Sequence, residues 1–204
     1  MEITPDAIIY WQWNGIYLNA TIVFSWLVML LLAIISWFAT KNLTIGPEIS
    51  RWQNILEIII SYIRQQVKDI TQQDPDQFLP FLGSLFLYIS FSNFLTIIPG
   101  YQPPTGSLST TSALAICVFF AVPIYGISKK GISGYLQNYL KPSVLMLPFN
   151  IMAELSRTLS LAVRLFGNIM SGTLIVAVLL SLAPLIVPII MRLFGLLIGQ
   201  IQAY

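Results

Sequence analysis

The sequence predicts an all-α, polytopic membrane protein: about five membrane helices, an interfacial amphipathic helix, and a long tilted helical hairpin at the C-terminal end. Three observations carry this. The 204 residues are 56% hydrophobic and only 9% charged, where soluble domains carry about 25% charged residues. Apolar runs of about twenty residues recur, each long enough as a helix to cross a hydrocarbon core of about 30 Å. The basic residues that lie between these runs fall in alternate connections, as the positive-inside rule requires of a chain that crosses repeatedly.

The chain is read as one integral membrane domain, 1–204, and its elements follow in order. Residues 17–39 form the first span, which stops at Lys41. Residues 47–74 read as an amphipathic or shallow re-entrant helix on the cytoplasmic side. The core of that segment is apolar apart from Gln53, Asn54, Glu57 and Ser61, and too short to span; Arg51, Arg64 and Lys68 bracket it. Residues 78–98 form a second span, ended by Pro99-Gly100, and 108–128 a third, closed by Lys129-Lys130. From Pro142 onward there is too much apolar sequence for one span. Residues 142–181 would make roughly 60 Å of helix, about twice the hydrocarbon thickness.

This stretch must tilt strongly, curve, or break. Phe166-Gly167-Asn168 contains a turn signal, so two ordinary spans are an alternative. The loop cations argue against it. Lys41, Arg51, Arg64 and Lys68 fall in the first long connection and Lys129, Lys130 and Lys141 in the third, while the second has no charge and the N-terminal segment only acids. That distribution puts the N-terminus outside, and a turn at Gly167 would carry Arg157 and Arg164 to the outer surface against the rule. One long tilted helix, an outer turn near 183–188 and a returning helix over 189–204 fit better.

Composition also excludes functions. The net charge of +2 gives no ground for nucleic-acid binding. A single cysteine, Cys117, forbids an intrachain disulfide. With no histidine, no metal site is expected, and no cofactor. No phosphate-binding GxxxxGK[ST] pattern occurs, so nucleotide chemistry is expected of partners only. The acidic start, Met1-Glu2-Ile3-Thr4-Pro5-Asp6, lacks a basic region and a small-residue cleavage site, unlike a secretory signal.

Within the last two helices only Glu154, Arg157, Arg164 and Arg192 are charged. Arg164 is the residue to explain. Its guanidinium cannot lose its proton at accessible pH, and a cation at bilayer depth normally faces a bundle interior, a partner or water. Glu154 and Arg157 are three apart and are expected to neutralise one another. Arg157, Arg164 and Asn168 follow one helical face, with Ser160, Gly167, Ser171 and Gly172 on or beside it, small enough for another helix to approach closely. Glu154 is ten residues from Arg164, so a carboxylate for that arginine is expected on another subunit; a core arginine held by Gln or carbonyls is the structural alternative. Arg192 either snorkels to the outer interface or lines an outer path.

The run Leu159-Ser160-Leu161-Ala162-Val163-Arg164-Leu165-Phe166-Gly167-Asn168 resembles the signature of subunit a of F-type ATP synthases, the membrane stator beside the rotating c-ring. Asn93-Phe94-Leu95-Thr96-Ile97-Ile98-Pro99-Gly100, then Pro103-Pro104-Thr105 and Thr110-Thr111-Ser112-Ala113-Leu114-Ala115, resemble the second span, outer loop and third span of that family. Gln202-Ala203-Tyr204 is similar to the Gln-Ala-aromatic element of its last helix. Arg157 within Leu155-Ser156-Arg157-Thr158-Leu159-Ser160 also resembles the N-type, sodium-linked branch. Members usually continue several turns beyond this point, so a short returning helix or a truncated sequence is expected.

The resemblance implies that Arg164 is the stator arginine, Asn168 the asparagine one turn on, Gln202 the glutamine facing the arginine, and Asn93 a polar residue of the outer half-channel. It implies partners: the c-ring, peripheral-stalk b-type subunits, other ATP synthase subunits and the lipid of a bacterial plasma (inner) membrane. Three positions depart from the pattern. Thr173 stands where many relatives have Glu, Gly195 where some have His, and Ser107 where the outer loop often has Asp. Ser107, Thr173, Asn93 and Ser171 would offer neutral oxygens to a hydrated cation, so the expected ion is Na⁺, with H⁺ carried by water as the alternative. A secondary transporter with an anion at Arg164, or a scaffold tied by it, are the competing classes; no internal repeat favours the first.

Overall fold

The computed structural model describes residues 5–13, 16–41, 51–72, 74–98, 100–140, 145–182 and 187–203. The expected segments at 47–50 and 142–144, most of the outer turn at 183–188, and Tyr204 lie outside the described residues.

The chain opens with a 3-10 turn, Pro5–Ala7, and an antiparallel hairpin of β1 (Ile9–Trp13) and β2 (Ile16–Asn19), with Trp11 opposite Leu18 and Trp13 opposite Ile16. This corrects the sequence expectation at 17–39: residues 17–19 pair as strand, and α1 runs Ala20–Thr40. The physical reason is legible afterwards. Aromatic and β-branched residues flank Asn14-Gly15, the residue pair most favoured in two-residue hairpins. The hairpin is closed onto the helix by the Ala20 amide, which donates to the Ile8 carbonyl at 2.9 Å.

Next come α2 (Arg51–Thr71) and α3 (Leu79–Phe94), the latter extended by a 3-10 turn, Leu95–Ile97. Helix α2 turns Ile63 and Val67 inward yet leaves Ile55, Ile58 and Ile60 exposed, the two-faced pattern of an interfacial helix. Arg64 Nη2 lies 2.8 Å from Asp76 Oδ1, tying α2 to the turn before α3. Both side chains are more than half exposed, so the pair contributes at most about 1 kcal/mol.

Helix α4 (Leu108–Leu140) outruns the expected end at 128. It is two helical pieces joined at Gly131, whose φ of +71° and ψ of 165° only glycine adopts without strain. Pro123 lies inside without ending it. Helix α5 (Met146–Leu182) is continuous through Phe166-Gly167-Asn168, and α6 (Val187–Ala203) returns along it. Thirty-seven residues correspond to about 55 Å. Helix α5 packs between α4 and α6, while α6 also touches α3.

Four helices, Ala20–Thr40, Leu79–Ile97, Leu108–Lys129 and Met146–Ser181, are long and apolar enough to cross a membrane, and Ile189–Ala203 is a shorter apolar helix. Their outward faces are unlike those of a water-soluble bundle. Trp26, Leu30 and Phe38 on α1 are each more than 60% exposed, as are Ile124 on α4 and Met152 on α5. Such continuous apolar surface is stable only in hydrocarbon or against a partner. Small polar side chains instead tie the helices together inside. Tyr88 of α3 donates to Ser25 of α1, and Gln200 of α6 to the carbonyl of Ser90 on α3. Lys129, near the end of the first part of α4, sits over the Phe78 ring that precedes α3, 4.6 Å from its centroid, so the first piece of α4 ends where α3 begins.

Candidate functional site: an exposed arginine beside a polar cavity

Arg164 projects from α5 into the open. It is exposed, and its one hydrogen-bonding neighbour among the described residues is Ser160 on the preceding turn, at 3.5 Å from Nη2. At that length the contact orients the guanidinium weakly and leaves its charge whole. No carboxylate pairs with it among the described residues. The chain thus carries an uncompensated cation in the middle of its longest apolar helix, at a point where a polar, partnered or hydrated environment is required.

One turn onward, Asn168 enters the wall of a cavity of about 290 Å³ between α3, α5, α6 and the 98–103 connection. Asn93, Thr96, Thr173, Arg192 and Gly195 share that wall, with Val176 and Leu196 among the apolar remainder. Three of the sequence-predicted residues, Asn93, Asn168 and Thr173, are therefore brought together, and Arg192, itself exposed, lines the same cavity. The Thr173 hydroxyl also donates to the Met170 carbonyl at 2.9 Å, which leaves its oxygen available as an acceptor.

Asn93 does more than line the cavity. Its Nδ2 donates to the Gly199 carbonyl at 3.0 Å, locking α3 to α6, while its Oδ1 is buried without a partner. A Cβ at Gly199 would lie 2.8 Å from Asn93 Nδ2. Gly199→Val should therefore break this bond and wedge the helices apart, at about 1–3 kcal/mol as overpacking of a close contact. The expected outcome is a lower Tm of the detergent-solubilised protein; an unchanged Tm would show that the helices yield freely here.

Other expectations need correction. Ser107 is fully buried and does not face the cavity: its hydroxyl donates to Asp6 Oδ2 at 2.6 Å and lies 2.6 Å from Ser109 Oγ. Ser171 turns its hydroxyl back to the Asn168 carbonyl at 3.2 Å, the usual fate of a serine that meets no better partner on a helix. Gln202 is half-buried with an unpartnered Nε2, and no hydrogen bond joins it to Arg164. Among the described residues no ion pair joins Glu154 to Arg157. Arg157 is exposed, whereas Glu154 is half-buried in a groove with Phe119, Pro123 and Tyr135 of α4.

Sequence reasoning missed Tyr101, which shares Ser92 as a hydrogen-bonding neighbour at 3.3 Å and lines the cavity from the connection after α3. Burial pushes its phenol up to about 12, against a smaller opposing effect of the Ser92 hydrogen bond. It is a neutral hydroxyl at any physiological pH. Asp6 was also missed. The available signal was an acid at an end of the chain where the 99–107 connection carries no charge.

Residues 22–204 match the family described as "ATP synthase A chain". The chain is 64% identical over its full length to "ATP synthase subunit a 1" of Crocosphaera subtropica, covering 89% of that protein. It is 59% identical to "ATP synthase subunit a 2" of Acaryochloris marina and 54% identical to "ATP synthase subunit a" of Albidiferax ferrireducens, covering 87% and 88% of them. With a continuous apolar helix bearing a bare arginine beside a polar cavity, and a match spanning nearly every residue, the chain is an integral membrane protein that belongs to the ATP synthase A chain family.

Proposed function

We propose that the chain supplies two offset aqueous half-channels to the c-ring of an F-type ATP synthase and that Arg164 separates them. A ring carboxylate takes a cation from one half-channel, travels round in lipid, and releases it to the other, coupling ion flow to rotation and to ATP synthesis or hydrolysis. The observation that carries this reading is the exposed Arg164 guanidinium, with no carboxylate of its own chain among the described residues and with the polar cavity beginning one turn away at Asn168. At about 4 Å and an effective dielectric near 20, its attraction for a passing carboxylate is about 4 kcal/mol. That is enough to displace a bound proton or Na⁺ and small enough for the carboxylate to leave. The same charge repels a cation that would leak directly between the channels. Asn168, one turn on, opens the polar cavity beside the guanidinium, and the ring closes the open face in the assembled complex.

The cavity around Asn93, Thr96 and Thr173 is the outer half-channel in this reading, and the groove that holds Glu154 adjoins the inner one. Peripheral-stalk b-type subunits and the remaining ATP synthase subunits complete the machine in a bacterial plasma membrane, the N-terminus outside. The carried cation is Na⁺, as in the N-type branch. The support is a cavity wall that supplies neutral amide and hydroxyl oxygens and a chain that has no histidine; proton relays characteristically use Asp, Glu or His chains. ATP-driven uptake into proteoliposomes of the whole complex tests this. Uptake should require Na⁺ and survive a protonophore; uptake that proceeds without Na⁺ and collapses with the protonophore assigns H⁺.

A further inference from the structure

We infer that Asp6 is the cation-attracting carboxylate at the mouth of the outer cavity, delivered there by the N-terminal segment rather than by the loop that borders the cavity. The inference rests on the half-channel reading above.

The geometry is specific. Asp6 lies in the Pro5–Ala7 turn, half-buried, and both carboxylate oxygens are engaged: Thr21 Oγ1 donates to Oδ1 at 2.6 Å and Ser107 Oγ to Oδ2 at 2.6 Å. The donors come from the first turn of α1 and from the residue before α4, so three distant parts of the chain converge on one carboxylate. Short hydroxyl–carboxylate bonds of this kind fix an anion without cancelling its charge. Immediately beside it, Pro5 and Gly106 line a second cavity, which shares Gly100, Tyr101, Pro103 and Thr173 with the one holding Asn93, Asn168 and Arg192. The two adjoin through these shared residues; their walls are mostly apolar, with Asn93, Thr96, Asn168, Thr173 and Arg192 as polar groups, and Thr105 adds a buried, unpartnered hydroxyl next to Gly106.

Asp6 is also alone. Among the described residues, the other acids are Glu57 and Asp69 on α2, Asp74 and Asp76 between α2 and α3, and Glu154 in the first third of α5, all toward the opposite ends of the spans. The approach meanwhile contains one cation, Arg192. A path for cations with Arg192 in its wall and no acid would repel its cargo. The carboxylate at its mouth reverses the local sign and raises the cation concentration there, the focusing that charged clefts provide.

Ion-driven ATP synthesis by the reconstituted complex tests this, with the driving ion titrated on the side of the Pro99–Ser107 connection, as Na⁺ or, in a second arm, as H⁺. Asp6→Asn should raise the half-saturating concentration about fivefold at low ionic strength and leave the maximal rate unchanged, and the difference should shrink in high salt. Thr21→Val with Ser107→Ala removes both tethers but keeps the charge, and should stay within twofold of the parent. The exchange Asp6→Ser with Ser107→Asp keeps the carboxylate in place and should behave like the parent; it carries the test if Asp6→Asn does not assemble. Three results would each overturn the inference: an unchanged half-saturating concentration in Asp6→Asn, a tether variant as impaired as Asp6→Asn, or an exchange variant that is not restored. Arg164→Ala measured alongside separates the two levels. If it still synthesises ATP, the half-channel reading fails; if it is inactive while Asp6→Asn equals the parent, only the inference about Asp6 fails.

Discussion

Arg164→Ala should abolish ATP-driven cation uptake while the complex still assembles. The expected loss follows from the charge itself. The attraction between the guanidinium and a ring carboxylate, about 4 kcal/mol at close approach, corresponds to about three orders of magnitude in the release of the bound cation. Assembly should survive because Arg164 is exposed and its one polar contact within the described chain is the long one to Ser160. Co-purification of ring subunits with the variant, measured beside its transport rate, distinguishes this outcome from a scaffold in which the arginine is a core tie. In that case assembly would be lost together with transport.

Ser160→Glu should be nearly as damaging, by the opposite route. Ser160 lies one turn before Arg164 with its hydroxyl 3.5 Å from Nη2. An acid there stands N-terminal to a base at i, i+4, the favourable orientation for a helical ion pair. Such a pair is worth only a few tenths of a kcal/mol in water, but in the low-dielectric membrane interior it would hold the guanidinium firmly and cancel the field it presents. Uptake should fall at least tenfold, whereas Ser160→Ala should leave it within twofold. Equal rates in both variants would mean that the charge of Arg164 is not what the transport step uses.

The part of the architecture legible in the sequence is the part that membrane physics dictates. Runs of about twenty apolar residues have one outcome in a bilayer, a hydrogen-bonded helix, and the helices at α1, α3 and α5 follow from it. The loop cations further argued that Gly167 is no turn, and α5 is unbroken there. The misses are local and tertiary. Residues 17–19 were apolar enough to join α1, yet the hairpin signal at Asn14-Gly15 takes them into β2. Gly131 gave no warning that a second helical piece would follow the Lys129-Lys130 pair.

The site was legible along one helix and obscure between helices. Arg164 and Asn168 follow from their spacing on α5 and Thr173 from the family resemblance, and Asn168 and Thr173 do reach one cavity. That Ser171 satisfies its own helix and that Ser107 binds Asp6 depend on packing that no periodicity reports. The close approach of Asn93 to Gly199, 106 residues apart, is likewise visible only once α3 and α6 are side by side.

The central claim, that the Arg164 face of α5 meets a ring carboxylate on a neighbouring subunit, is tested most directly by disulfide formation. Cys117 is exposed and is first replaced by serine. Cysteines are then introduced by Ser160→Cys and beside the ring carboxylate. The account predicts a disulfide between the two in the assembled complex, formed only while the ring is bound. An intact complex in which the thiol introduced by Ser160→Cys instead reacts freely with a lipid-soluble maleimide, and never with the ring, would contradict it.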